Sequence, residues 1–312
     1  MNFLILGTGG IGAYYGARLL NSSNEVTFVA RGEHLEAIRK NGLKVSHPEF
    51  SFFKSVNAYE LKDIDFSSLN IDVIILTTKS NTTRTIAKEL LEKLSTLEKT
   101  PYILSLQNGV ENEKVLCEYF SSDKIIGALT RKIGAHIIKP SYIEATGKVE
   151  TLIGTISETK ENRAFLEKLN TTINKAGVLC EVVEDINKEL WKKLIINNGV
   201  NAICALLEIK TGVLMNDEKL SSLVYGLMKE TQSAAKACNV NINDDELNQM
   251  YELIKNFDSI KPSMLVDREF KRALEIDEIC TVVIDYNKKQ NIDSAYTKTI
   301  SYLLDFVCKN EK

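Results

Sequence analysis

The sequence predicts an α/β chain: an N-terminal doubly wound sheet followed by an all-helical C-terminal domain. Three observations carry that expectation. A short apolar run at the start opens into a glycine-rich loop and then a helical pattern. Apolar runs alternate with helical periods as far as residue 185. From residue 186 the strand-like runs stop and only helical spacing continues. The expected domains are therefore 1–185 and 186–312.

The opening run, Asn2 to Leu6, leads into Gly7-Thr8-Gly9-Gly10-Ile11-Gly12, and apolar helical spacing follows through Ala13, Tyr14, Ala17, Leu19 and Leu20. This is G-x-G-x-x-G between a strand and a helix, the setting in which the motif binds a dinucleotide. Gly7 suits a tight turn, Gly9 a close approach of backbone to pyrophosphate, and Gly12 close packing of helix on strand. The helix N-terminus adds unpaired N–H groups and a positive dipole end. The sheet is thus expected to be of the Rossmann type.

The second strand, Glu25 to Ala30, runs into Arg31-Gly32. An acidic residue at that place would hold ribose hydroxyls; an arginine suits a 2′-phosphate through its planar fork, which favours NADP(H). The alternative leaves Arg31 as a surface charge and gives the ribose to Glu33. His34 is expected to be an ordinary surface residue on the next helix, which Asn41-Gly42 ends. Residues 43–58 read as short strands turning at His47-Pro48.

Buried-type strands follow at Ile71 to Thr77 and Pro101 to Leu106. They deliver Lys79 and Asn108 at their carboxyl ends, where ligands sit in a parallel sheet. Residues 125–156 read as an antiparallel extension of the same sheet, with His136 as a structural residue. A helix from Glu158 to Ala176, capped by Gly177, and a last strand from Val178 to Val183 complete the domain.

The helical part opens at Glu189–Leu207, where Lys193, Asn197 and Asn201 recur every four residues and share a side of an otherwise apolar helix. Asn198-Gly199 is a turn dipeptide that allows two shorter helices instead, and a polar row of this kind can also be a solvated face. Further helices are expected at Asp217–Cys238, Asp244–Phe257, Leu265–Lys289 and Ser294–Lys309. Pro262 and Ser263 suit a helix entrance. Glu275 comes twelve residues after Ser263, a spacing that lets both line one side of a continuous helix.

Composition excludes several classes. Of 312 residues, 44% are hydrophobic and 26% charged, as in soluble globular proteins. A net charge of −3 with mixed signs is no footprint for nucleic acid. No apolar run approaches membrane-span length and no export signal opens the chain, so the cytoplasm is expected. The six cysteines form no Cys-x-x-Cys pair and read as reduced thiols, and the three dispersed histidines make no local metal motif.

A nicotinamide site with a lysine and a carboxylate suits carbonyl reduction, in which an acid protonates the developing alkoxide. No histidine is well placed for that role. Lys193 can supply it, with Glu275 orienting or neutralising the ammonium, while Asn197, Asn201 and Ser263 hold substrate hydroxyl and carboxylate groups.

The chain resembles the ketopantoate reductase family. The residues that carry the resemblance are Gly7 to Gly12, Thr78-Lys79, Gln107-Asn-Gly-Val-Glu111, Glu189-Leu-Trp-Lys-Lys193 with Asn197 and Asn201, Ser263-Met-Leu, and Glu275-Ile-Asp277. They run in family order over nearly the whole chain. The resemblance implies a Rossmann domain with a helical domain, NADPH as cofactor and a small 2-keto acid, 2-dehydropantoate, as substrate. It implies Lys193 as proton donor, Lys79 and Asn108 between cofactor and substrate, Asn197, Asn201 and Ser263 on the substrate, and Glu275 completing the site. The last helices could pair two copies into a homodimer.

The chain departs from the family pattern toward its C-terminus. Pro262 precedes Ser263 where a serine is usual, and Ala273-Leu274 replace a glycine and a threonine. Glu278 and the residues after it replace an Asn-Gly pair, Ser294-Ala-Tyr-Thr297 replaces a proline motif, and Thr211 stands for an asparagine. These changes leave the candidate catalytic set intact. They leave two alternatives open, a paralogue acting on another 2-keto acid and a nucleotide-binding regulator.

Overall fold

The computed structural model describes residues 1–256 and 259–310. Its contacts divide the chain into two compact units. One is Met1–Gln107 with Glu111–Ile186; the other is Asn108–Val110 with Asn187–Lys312. Residues 108–110, expected by sequence in the first domain, group with the second by contact.

In the first unit β1 (Asn2–Leu6) enters the glycine loop, α1 (Gly10–Asn21) leaves it, and β2 (Glu25–Val29) and α2 (Gly32–Asn41) follow. A hairpin of β3 (Leu43–His47) and β4 (Phe50–Lys54) precedes a short β5 (Asn57–Tyr59). Then come β6 (Val73–Leu76), α3 (Thr83–Leu94), β7 (Tyr102–Ser105) and α4 (Asn112–Cys117). The unit ends with β8 (Ile125–Arg131), β9 (Gly134–Lys139), β10 (Tyr142–Thr146), β11 (Glu150–Thr155), α5 (Lys160–Lys175) and β12 (Leu179–Val182).

Eight strands form the main sheet in the order β12-β11-β8-β7-β6-β1-β2-β5. Every neighbouring pair is parallel except β11 with β8. Chain order reverses between β1 and β6, so the glycine loop and Thr77–Lys79 leave the sheet on either side of that switch point. Both faces are covered. Phe3 and Ile5 enter one core with Tyr14, Phe28 and Leu104, while Leu4 and Leu6 enter the other with Ile74, Leu90 and Leu116. Burial on both faces explains why these strands read as continuous apolar runs.

The expected antiparallel extension over residues 125–156 is only partly realised. β8 and β11 join the main sheet, but β9 and β10 belong to a second sheet with the order β4-β3-β10-β9. The physical difference is the number of covered faces. β8 and β11 are buried nearly throughout, whereas in β3 and β10 buried Val45, Ile143 and Ala145 alternate with more exposed residues. Such alternation belongs to a sheet packed on one side. The side that is covered lies on α1.

In the second unit α6 (Ile186–Leu207) is unbroken through Asn198-Gly199, so the turn reading fails. Gly199 is instead a packing residue. A Cβ there would lie 2.9 Å from Met228 Cγ, on the next long helix. Asn198 is fully buried, and its Nδ2 donates to Thr231 Oγ1 at 2.9 Å and Thr297 Oγ1 at 3.1 Å. After α6 come α7 (Thr211–Asn216), which the sequence reading lacks, α8 (Glu218–Lys236) and α9 (Asp244–Lys255). The expected end of that helix at Phe257, and Asp258 in the breaker that follows, lie outside the described residues.

The expected continuous helix from Leu265 to Lys289 is two helices. α10 (Ser263–Glu269) stops, and a π-helical stretch at Asp277–Thr281 leads into α11 (Val282–Lys289) before α12 (Ala295–Asn310). Lys271 adopts φ +52°. The Lys271 and Arg272 N–H groups return to the Arg268 and Asp267 carbonyls at 2.9 and 2.8 Å. This is a Schellman ending, which usually shows itself as glycine. With lysine in the left-handed position the sequence carries no stop signal. Ser263 and Glu275 therefore do not line one helix.

Candidate active site

The mouth of the first unit is built by the end of β1 and the start of α1. Gly7 has φ +110°, which L side chains rarely adopt, and a Cβ there would press on Thr78. At Gly12 a Cβ would fall 2.2 Å from the Gly7 carbonyl oxygen and 2.4 Å from Thr77 Oγ1, so helix and sheet meet on bare backbone. At Gly9 a Cβ would meet nothing within 4 Å. The loop is thus tight where it folds and open where a ligand would approach. No side chain caps α1, which leaves its first N–H groups to an anion. Thr8 is buried, its backbone N–H and Oγ1 both donating to Val29 O at 2.9 Å, while Gly10 and Ile11 begin the helix. These residues fit a dinucleotide diphosphate.

Arg31 lies exposed at the carboxyl end of β2, immediately before α2. Lys79 is also exposed, at the end of β6, where Thr78 accepts a hydrogen bond from Gln107 Nε2 at 3.0 Å. His34 departs from the surface role expected of it. Its half-buried ring meets the Thr8 carbonyl through Nε2 at 2.8 Å and the Ser141 N–H through Nδ1 at 3.2 Å.

In the second unit Lys193, Asn108 and Glu275 form one chain of hydrogen bonds. Lys193 Nζ donates to Asn108 Oδ1 at 3.0 Å, and Asn108 Nδ2 donates to Glu275 Oε2 at 3.0 Å. A helix, a three-residue loop segment and the chain two residues before the π-helical stretch thus converge. Trp191, two residues from the lysine, anchors α6 edge-on against Tyr286 of α11, with ring centroids 5.7 Å apart. The π-turn re-spaces the helix just after Glu275, a distortion common beside functional groups.

The neighbouring lysines show why Lys193 differs. Lys188 and Lys192 lie 2.8 and 3.3 Å from Glu246, and Lys192 also lies 3.0 Å from Glu189. Lys193 takes a neutral amide oxygen instead and has its carboxylate one residue further away. Burial pushes its pKa down to about 8, and the charge of Glu275 only partly opposes that shift. An ammonium held this way can release a proton near neutral pH.

Asn197 and Asn201 continue the row along α6, the first half-buried and the second buried. Neither side chain hydrogen-bonds among the described residues, so both amides are available to a ligand. Ser263 is exposed at the first turn of α10. No group of three or more histidine, cysteine or acidic side chains among the described residues has a metal-holding arrangement. No helix there is long and apolar enough to cross a membrane.

Comparison with known proteins decides the family. The family described as "Ketopantoate reductase PanE/ApbA" matches residues 3–158, and its C-terminal counterpart matches residues 185–307. The chain belongs to the ketopantoate reductase family. Its members are nicotinamide-dependent oxidoreductases. A 2-dehydropantoate 2-reductase of Pyrococcus horikoshii is 32% identical over 94% of this chain and 93% of its own length. One from Pyrococcus abyssi is 30% identical over the same shares. Among solved structures, 2-dehydropantoate 2-reductase from Geobacter metallireducens superposes with a TM-score of 0.86 at 29% identity, covering 98% of this chain and 100% of that one. A D-mandelate dehydrogenase solved with NADH and anilino(oxo)acetate shares the fold, with a TM-score of 0.90 at 20% identity over 99% of each chain.

Proposed function

We propose that this chain reduces 2-dehydropantoate to (R)-pantoate with NADPH, in a soluble, cytoplasmic setting. The observation that carries the reading is the Lys193–Asn108–Glu275 chain. When bound, the nicotinamide supplies the hydride for the keto carbon. The loop Gly7, Thr8, Gly9, Gly10, Ile11 and Gly12 with the start of α1 holds the diphosphate, and Arg31 reads the 2′-phosphate. Lys79 adds positive charge on the cofactor side.

Lys193 donates a hydrogen bond to the keto oxygen and then its proton to the alkoxide that forms there. Asn108 keeps the ammonium aimed, accepting from it and donating to Glu275, whose carboxylate limits the loss of charge on the lysine. Asn197, Asn201 and Ser263 bind the substrate's hydroxyl and carboxylate. A site that hydrogen-bonds a hydroxyl rejects analogues lacking it, because its own polar groups are then left unpaired.

A second reading rests on the departures near Ser263 and Glu275, together with the likeness of fold to a D-mandelate dehydrogenase. On it the chain is a paralogue for another branched or hydroxylated 2-keto acid. A panel of 2-keto acids assayed with NADPH and with NADH separates the two. Highest kcat/KM for 2-dehydropantoate with NADPH supports the first. Preference for another acid selects the second, and absence of hydride transfer to any of them removes both.

A further inference from the structure

Thr8 is held at every polar atom but one by the main sheet. Its N–H and Oγ1 both go to Val29 O, and the next N–H, of Gly9, returns to Gly7 O at 2.8 Å. The remaining group, the Thr8 carbonyl, is taken by His34 Nε2 at 2.8 Å, from the first turn of α2. The opposite nitrogen, Nδ1, accepts from the Ser141 N–H at 3.2 Å, in the turn between β9 and β10. Because Nδ1 accepts, the ring is neutral with its proton on Nε2, and burial holds its pKa below the ordinary histidine range.

The imidazole therefore joins three segments. The first is the glycine loop. The second is the helix start that carries Arg31, three residues before His34. The third is the β9–β10 hairpin, which also bears on the loop directly, since a Cβ at Gly10 would lie 2.0 Å from the Ala135 carbonyl oxygen. Neither lysine nor arginine can do this, having no acceptor.

We infer that His34 is a positioning residue for the nucleotide, setting the loop that receives the diphosphate against the helix start that carries Arg31. The inference rests on the proposed nucleotide site and concerns only cofactor affinity. His34 touches no reacting atom. Its loss therefore weakens NADPH binding and leaves kcat at saturating NADPH, and KM for the keto acid, unchanged.

The two bonds can be removed separately. His34→Gln places an amide donor near Nε2 and drops the Ser141 contact, while His34→Asn places an acceptor near Nδ1 and drops the bond to Thr8. NADPH titration by calorimetry on the full chain reads affinity without needing the right keto acid. His34→Asn and His34→Ala are expected to weaken NADPH roughly ten-fold, the worth of one charge-free buried hydrogen bond. His34→Gln is expected to restore binding to within about two-fold of the parent, because it keeps the bond to the loop that receives the diphosphate. NADPH binding by His34→Asn equal to the parent overturns the inference, as does His34→Gln failing as badly as His34→Asn. If His34→Ala does not fold, the Asn and Gln variants decide. A parent chain that does not bind NADPH at all overturns the nucleotide reading itself, and this inference with it.

Discussion

Lys193 is a half-buried ammonium whose nearest partner is the neutral Asn108 amide, with Glu275 beyond it. In the proposed reaction its pKa of about 8 sets a defined pH limb. The donor must be protonated, so kcat/KM for the keto acid is expected to be flat below about pH 8 and to fall about ten-fold per unit above it. Lys193→Ala is expected to lose about 10²–10⁴ in kcat, the usual worth of a positioned proton donor. Lys193→Arg keeps the charge but cannot release the proton, so its kcat should fall similarly. A second titrating group belongs to the first unit. Glu113 is buried in the first turn of α4, and burial raises its pKa to about 7. The folded state therefore holds this proton where the unfolded chain releases it. Stability from this group is full below about pH 4.5 and is lost as pH rises through 7, by roughly 3 kcal/mol. Urea unfolding across pH 5–8 should show that slope, and Glu113→Gln should flatten it.

At the scale of elements, α6 is buried nearly all round and depends on a close approach to α8. Gly199→Val places branched carbon where Met228 Cγ already stands 2.9 Å from an ideal Cβ. It is expected to cost about 1–3 kcal/mol of stability by denaturant unfolding. Gly199→Ala should cost less, because Met228 can shift and alanine gains about 1 kcal/mol of helix propensity over glycine. The helix endings show what local sequence conceals. Glu208 and Lys271 both end helices at positive φ, +55° and +52°, without the glycine that usually marks such a stop. Gly42 and Gly177, at +79° each, do mark theirs, and those ends are legible.

Across the whole molecule, a ligand that binds the folded chain stabilises it by mass action, about 2.7 kcal/mol at a hundred times its Kd. NADPH is expected to raise the thermal midpoint by more than NADH at equal concentration. Arg31→Ala should bring the two midpoints together by lowering the NADPH effect alone. Equal midpoints for the parent would show that Arg31 does not read the 2′-phosphate. The measurement requires no knowledge of the keto acid, so it tests cofactor choice independently of substrate.

Local chemistry made much of this protein legible. Gly7, Gly9 and Gly12 announce a strand–loop–helix turn because only glycine suits a positive φ at the first and bare-backbone packing at the last. Continuous apolar strands announce a sheet covered on both faces. The four-residue row of Lys193, Asn197 and Asn201 follows from helical geometry alone. Other features depend on partners far along the chain. β9 and β10 leave the main sheet to join β3 and β4, nearly a hundred residues earlier, and the short strand pattern does not name its neighbour. His34 looks like any residue on a charged helix until Ser141 and the Thr8 carbonyl, 107 and 26 residues away in sequence, are brought to its two nitrogens. The bridge from Lys193 through Asn108 to Glu275 spans 85 and then 167 residues. Periodicity and steric demand are written locally; which polar groups meet is decided only when tertiary packing removes water from around them.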